Sequence, residues 1–386
     1  MPVINRIADY FDDMAAWRQH LHENPELEYD CFETAAFVTE RLKEFGVDEI
    51  SQGWAKTGVI AVINGKTDGD TIGLRADMDA LPMQEETGLP YASKVDGKMH
   101  ACGHDGHTTM LLGAARYLAE TRNFSGRVVL IFQPAEEGGA GAGMMVQEGL
   151  MEKYGISQVY GVHNMPNQAV GTIETRGGPL MAAADVFEIE ISGKDGHAAQ
   201  PHLTIDPIIV GTSVVQNLQT IASRTVDPID SVVVSITQFH AGTANNAISD
   251  RAKIAGTMRT FKTDVRDTVM ERIETIVQNV AAMYGATATV TYEHGYPATV
   301  NDTAKANFAS TVAAEVVGED QVSLDAVPMM AAEDFSYFLQ KAPGAYLFLG
   351  NGPSAGLHQT TYNFNDEISP IGASFFARVV ETAQPV

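Results

Sequence analysis

ADVFEIEISG (184–193), DPIIVGTSVVQNLQTIAS (206–223), SVVVSITQF (231–239), AKIAGTMRTF (252–261), DVRDTVMERIETIVQNVAAMY (264–284) and ATATVTYE (286–293) follow one another along the chain. The first, third, fourth and sixth have the alternating or β-branched apolar character of strands, whereas the second and fifth repeat their apolar residues at helical spacing. Asp206 ahead of Pro207 is a good helix start, since Asp caps free N–H groups and Pro needs none, and Gly285 is a good helix stop. The order βαββαβ is that of a ferredoxin-like module.

Outward from this block the pattern changes to mixed α/β. ETAAFVTERLKEF (33–45) reads as a helix ending at Gly46, and TGVIAVI (57–63), DTIGLRA (70–76) and RVVLIFQ (127–133) read as strands. GHTTMLLGAARYLAE (106–120) has the small and apolar residues of a helix lying on a sheet, and AYLFLG (345–350) and a last helix from about 370 resume the pattern. A chain of 386 residues exceeds what one core usually supports. The simplest expectation is a main α/β domain in two parts, 1–181 and 294–386, with the module 182–293 inserted.

Composition narrows the partners. Hydrophobic residues make up 45% and charged residues 19%, which is the make-up of a folded protein. The excess of 49 acidic over 25 basic residues, a net charge of -24, repels phosphate backbones and anionic lipid, so neither nucleic acid nor membrane is an expected partner. Residues 1–20 lack a basic start followed by an apolar run, and no uninterrupted apolar stretch of about 18 residues occurs, so a soluble, cytoplasmic protein is expected. Two cysteines cannot build a disulfide framework. Cys31 reads as a half-buried residue beginning a helix, and Cys102 sits among histidines.

That second cysteine belongs to HACGHDGHTT (100–109), the densest cluster of metal-type side chains. In an extended segment Cys102 and His104 point to the same side and can reach one metal; the plainer reading is a polar loop, with His100 and His107 capping or packing. QPAEEGG (133–139) follows an apolar strand, and neighbouring carboxylates on extended backbone face different ways, so one of Glu136 and Glu137 can bind metal while the other moves protons. His163 in VYGVHNMP and His358 in GLHQTTYNFND stand just beyond apolar strands. With Cys102, His104 and Glu137 they make five candidate ligands, enough for two ions if a thiolate or carboxylate bridges. Asp77 and Asp79 in RADMDALPM (75–83) lack the later positions of a calcium loop, and read better as outer carboxylates orienting metal-bound histidines.

Together and in this order, these strings resemble the aminoacylase and hippurate hydrolase family of dinuclear metallo-amidohydrolases, which includes hydrolases of auxin conjugates. The resemblance runs from WRQHLHENPEL (17–27) to LHQTTYNFND (357–366). It implies a metallopeptidase-type α/β catalytic domain with the inserted module as a lid and dimerisation domain, and a homodimer. It implies that Cys102 bridges two divalent ions completed by His104, Glu137, His163 and His358, and that Glu136 is the general base. In the module it implies that His197, in GKDGHAAQPH (193–202), stabilises the oxyanion from the neighbouring subunit, and that Asn245 and Arg259 help bind a small N-acyl amino acid. Read without the resemblance, these three are a turn histidine, a turn asparagine and a surface arginine. Ser249 in NNAISD departs from the proline that related sequences often carry.

Imidazole, carboxylate and thiolate suit zinc, with manganese, cobalt or nickel as other candidates. Two rival readings leave more unexplained. A cysteine hydrolase, with Cys102 as nucleophile and His104 or His107 as base, gives Glu136, Glu137, His163 and His358 no shared purpose. A non-catalytic metal-dependent binding protein has no need of Glu136.

Overall fold

The computed structural model describes residues 3–386; residues 1 and 2, where the stretch read for a leader begins, lie outside the described residues. The chain divides into two compact units, one of Met1–Leu180, Val300–Val327 and Asp334–Val386, the other of Met181–Thr299 and Pro328–Glu333. Pro328–Glu333 thus sits with the second unit, although it lies far beyond the 182–293 block.

The first unit is an α/β structure around an eight-stranded sheet. In spatial order its strands are Glu49–Trp54, Gly58–Asn64, Ser125–Gln133, Thr67–Asp77, Gln158–Pro166, Gly344–Gly352, Ile173–Glu174 and Val322–Ser323. The four central strands, from Ser125–Gln133 to Gly344–Gly352, run parallel, and Gly58–Asn64 pairs antiparallel beside them. Their apolar runs are continuous rather than alternating because both faces are covered: every residue of Gly344–Gly352, and Val128 to Gln133 of the strand Ser125–Gln133, is buried. The helices His104–Thr121 and Ser369–Ala383 contribute Met110, Leu111, Phe375 and Phe376 to this core. Phe32–Phe45 ends at Gly46, whose φ of 73° supplies the left-handed stop. Cys31, just ahead of that helix, is fully buried rather than half-buried, since its side chain joins the core under the sheet.

In the second unit, Ala183–Ser192, the helix Pro207–Leu218, Val232–Ala241, Arg251–Thr260, the helix Thr263–Met283 and Thr287–His294 follow in the βαββαβ order. The four strands form an antiparallel sheet with Ala183–Ser192 and Arg251–Thr260 in the middle and Val232–Ala241 and Thr287–His294 at the edges. Asp206 caps its helix as its position suggests, its carboxylate accepting from the Ile208 N–H at 2.9 Å. Phe187, Ile189, Val214, Ile254, Val269 and Ile273 form a core of its own. Among the described residues, no helix is long and apolar enough to cross a membrane.

Candidate metal centre

Parallel strands deliver their following loops to one edge of the sheet, the usual place for a site in such folds. Here Asp77 ends one central strand, Gln133 ends the next and leads to Glu136 and Glu137, and His163 lies within Gln158–Pro166 rather than beyond it. His358 follows Gly344–Gly352 in a turn tied back to the cysteine loop, its N–H donating to the Ala101 carbonyl at 2.9 Å.

Cys102 and His104 are brought together differently from the extended segment expected. His104 is already the first residue of a helix, and Gly103 between them has φ 92°. A Cβ at Gly103 would lie 2.2 Å from Asn164 Oδ1, so both the left-handed turn and the close approach require glycine. The result places the ligand-type atoms of Cys102, His104 and His163 within 4.8 Å of one another, and those of Cys102, Glu137 and His358 likewise. The two groups share Cys102. Glu136 falls with His104 and Glu137 in a third group of the same span.

Each imidazole is oriented through its other nitrogen. His163 donates from Nδ1 to the Asn164 carbonyl at 2.7 Å, which turns Nε2 to within 3.4 Å of the Cys102 sulfur. His104 donates from Nδ1 to the Asp79 carbonyl at 2.8 Å, and its buried Nε2 has no hydrogen-bond partner. That Nε2 stands 3.8 Å from Glu137 Oε1, another buried atom without a hydrogen-bond partner, and His358 Nε2 stands 3.4 Å from the same oxygen. An orphaned nitrogen and an orphaned oxygen that converge with a sulfur and two further imidazoles are what a bound cation would satisfy.

Electrostatics agree. Burial opposes a charge on His104, yet Asp77, Asp79 and Glu137 raise it to about 10, so a proton occupies the place a cation would take. Burial, with His107 beside it, pushes His163 down to about 3, leaving a neutral ring with a free lone pair. Burial works against ionisation of Glu137, but His358 and His104 hold its carboxyl below the usual range. The Cys102 thiol is driven well above its ordinary value by burial and by Glu137, Glu136 and Asp77. Without added positive charge it stays protonated and is a poor nucleophile, which weighs against the cysteine-hydrolase reading.

Asp77 and Asp79 both lie against His104, and each also holds a further group of the site. Asp79 uses its carbonyl on His104, while its two carboxylate oxygens accept the backbone N–H groups of Glu136 and Glu137 at 3.0 Å each. Asp77 accepts from His107 Nδ1 at 2.6 Å and lies 3.7 Å from His104 Nε2. His107, read as capping or packing, in turn meets Asn164 Oδ1 at 2.7 Å, and Asn164 donates to the Tyr362 hydroxyl at 2.5 Å. His107, offered by the sequence as a capping or packing residue or as a base for the cysteine, stands one helical turn after His104, whereas Asn164 and Tyr362 carried no such local signal.

The remaining candidates lie in the second unit. Gly196–His197 pairs with Ala247–Ile248 in a two-stranded ribbon, with His197 opposite Ala247, and the Ala198 N–H donates to the Asn246 carbonyl. This brings His197 and the Asn245 loop together on an exposed ribbon. Arg259 is on the central strand Arg251–Thr260 opposite Ala184, half-buried, its guanidinium on Thr257 and the Met258 carbonyl.

Comparison with known proteins decides the lineage. Residues 73–382 match the model of peptidase family M20/M25/M40. The chain belongs to that family. It is 44% identical over 360 residues to an N-acetyl-L-cysteine deacetylase of Bacillus subtilis, covering 93% of this chain and 85% of that protein. It is 42% identical to a hippurate hydrolase of Campylobacter jejuni, covering 98% of both. A crystal structure from Bacillus subtilis, described as a dinuclear metal binding peptidase from the M20 family, superimposes with a TM-score of 0.87 at 37% identity, covering 98% of this chain and 99% of that one. With these relatives, this M20/M25/M40 member is a metal-dependent amidohydrolase, which removes the non-catalytic reading.

Proposed function

We propose that this chain removes the acyl group from small N-acyl amino acids, using two divalent ions held by Cys102, His104, Glu137, His163 and His358. The observation that carries the reading is the pair of ligand-type groups that share Cys102, with His104 Nε2 and Glu137 Oε1 orphaned inside them. Sharing is what a bridging thiolate would need. The donor set suits zinc, with manganese, cobalt and nickel as alternatives. The N-acetyl-L-cysteine and hippurate in the relatives' names, like the amino acid conjugates of a third, an IAA-amino acid hydrolase of Arabidopsis thaliana, are amino acids acylated on nitrogen.

When bound, such ions acidify water and polarise an amide carbonyl. Glu136 is the general base: it takes the proton of the attacking water and returns it to the leaving nitrogen, so no covalent enzyme intermediate forms. Its backbone is fixed by Asp79, and its neighbour Glu137, held through the same carboxylate, is the ligand. His197 donates to the oxygen that gains charge, from the neighbouring subunit of a homodimer, and Asn245 and Arg259 bind the substrate. The ten-residue edge strand Val232–Ala241 carries no Lys, Arg, Asp or Glu to blunt it, which favours pairing with a second copy.

The test is a deacylation screen of the metal-reconstituted enzyme on acetyl-, benzoyl-, succinyl- and indoleacetyl-amino acids and N-acetyl-diamino acids. Metal-dependent release of free amino acid from at least one is expected. Turnover that survives complete metal removal, or none on the whole panel with metal bound, would overturn the reading.

A further inference from the structure

We propose that Arg75 is a positioning residue that, with Asp334, sets the histidine-bearing and glutamate-bearing arms of the candidate metal centre against each other; the proposal rests on the metal-dependent reading above. Arg75 is 1% exposed inside a central strand. Its guanidinium donates from Nε to Gln133 Oε1 at 2.7 Å, from Nη1 to Asp77 Oδ2 at 2.7 Å and from Nη2 to Asp334 Oδ1 at 2.8 Å. Only a rigid planar fork serves three partners in three directions; a lysine is a single point of charge.

Each partner leads to the centre. Asp77 holds His107 with its other oxygen, and His107 braces Asn164 beside His163. Gln133 begins the turn to the two glutamates, through Pro134 and through Ala135, buried at φ 60°. Gln133 also donates to both oxygens of Asp334, at 2.9 and 2.7 Å. Asp334 accepts from the Ala142 N–H at 2.9 Å, where the chain emerges from that turn. One buried ionic node therefore anchors the glutamate loop at both ends and fixes the strand end that braces the histidines. Burying charges costs about as much as their attraction returns, so such a node is weak grounds for stability and strong grounds for geometry.

The experiment compares wild type, Arg75→Lys and Asp334→Asn for cobalt affinity, for the ligand-field absorption of bound cobalt, and for the rise in melting temperature that cobalt produces over the metal-free protein. Leu42→Ala, on the buried face of the helix Phe32–Phe45, which supplies none of the candidate ligands, is the reference for a purely structural loss. Positioning predicts cobalt affinity weaker by about 10- to 100-fold, an altered absorption spectrum and a smaller cobalt-induced rise in both variants. Leu42→Ala should lower both melting temperatures alike and leave the spectrum unchanged. If Arg75→Lys behaves like Leu42→Ala, the proposal is overturned. Should the Arg75 and Asp334 variants fail to fold, Gln133→Ala, which cuts one arm and leaves the ion pairs, faces the same criteria. A wild type that takes up no cobalt would instead overturn the metal reading, and this proposal with it.

Discussion

The side chains around Cys102 and those around His197 are proposed to serve one reaction, yet they are built in opposite ways. Cys102, His104, Glu136 and His163 are buried in the first unit, and the atoms that orient them are buried too. His197 and Asn245 stand exposed on a two-stranded ribbon of the second unit, where the Ala199 N–H donates to His197 Nδ1 at 3.1 Å. In the buried set each charge is felt strongly by its neighbours, because little water screens it, and protonation states are set within the cluster. On the ribbon solvent does that work until something covers it. The difference teaches that the candidate ligands are gathered by the first unit's own packing, with His358 alone at its exposed rim, whereas the role proposed for the ribbon residues calls for a substrate or a second copy to cover them.

The sharpest way to break this contrast is at the adjacent glutamates. Glu136→Gln is expected to keep fold and metal and to lose turnover by about 100- to 10,000-fold, since the amide is nearly isosteric but shuttles no proton. Glu137→Gln removes a charged ligand and should lower metal occupancy along with rate. Metal content and kcat measured side by side decide the matter: the opposite pattern exchanges the two roles, and full rate in both at saturating metal removes the site.

His197→Ala should cost about 100- to 1,000-fold in kcat, the usual loss of one oxyanion donor, with metal content unchanged. Action across subunits adds a stricter demand. Mixing inactive His197→Ala with inactive Glu136→Gln, under conditions that exchange subunits, should restore up to about a quarter of the sites, because half the dimers are hybrids with one intact pairing. No recovery in demonstrated hybrids, or a fully active monomer, would confine His197 to its own chain or remove it from the reaction.

Within the buried region, Cys102→Ala should weaken metal binding by about tenfold or more, while Cys31→Ala, which deletes a sulfur from the core, should lower only the melting temperature. Metal binding to wild type should also tighten as pH rises through neutrality, since the cation must displace a proton from His104, raised to about 10, and from the elevated Cys102 thiol. Competition with a chelator across pH 6 to 9 measures this, and a flat profile would contradict the assigned ligands.

The smallest effect concerns stability. His22 lies behind the centre, 2.8 Å from Asp105 and 3.3 Å from Glu85, with Arg18 3.7 Å from the same Asp105 oxygen. Burial and Arg18 oppose its charge, but the carboxylates raise it to about 9. A folded value above the unfolded one means its contribution is full below about pH 6.5 and fades as pH rises through about 9, by at most about 3 kcal/mol. Asp105, held low by His22 and Arg18 against burial, has the reverse dependence and is lost in acid. Urea unfolding between pH 7 and 9.5 should show stability falling more steeply in wild type than in His22→Gln, which keeps only the fall due to groups such as His104; parallel curves would show that His22 carries no such linkage.

Much of this molecule is legible along the chain. The strands around 57–63, 70–76 and 127–133, the helix stopped at Gly46 and the capped start at Asp206 each rest on apolar periodicity or on a local backbone preference, and such signals need no distant partner. The residue types of HACGHDGHTT and QPAEEGG announce metal and proton chemistry for the same reason. The two-residue strands Ile173–Glu174 and Val322–Ser323 are too short to carry a pattern and exist because the sheet edge offers them hydrogen bonds. Nothing near Arg75 or Asp334 in the chain signals their pairing, because the two meet across 259 residues. Likewise the left-handed turn at Gly103, and the division of Asp79 between His104 and the glutamate amides, follow from what packs against them. By itself the sequence determined the longer elements and the side-chain chemistry they carry, since both depend on near neighbours; the tertiary structure alone decided how those groups are held, because orientation is set by buried partners that only the completed sheet brings together.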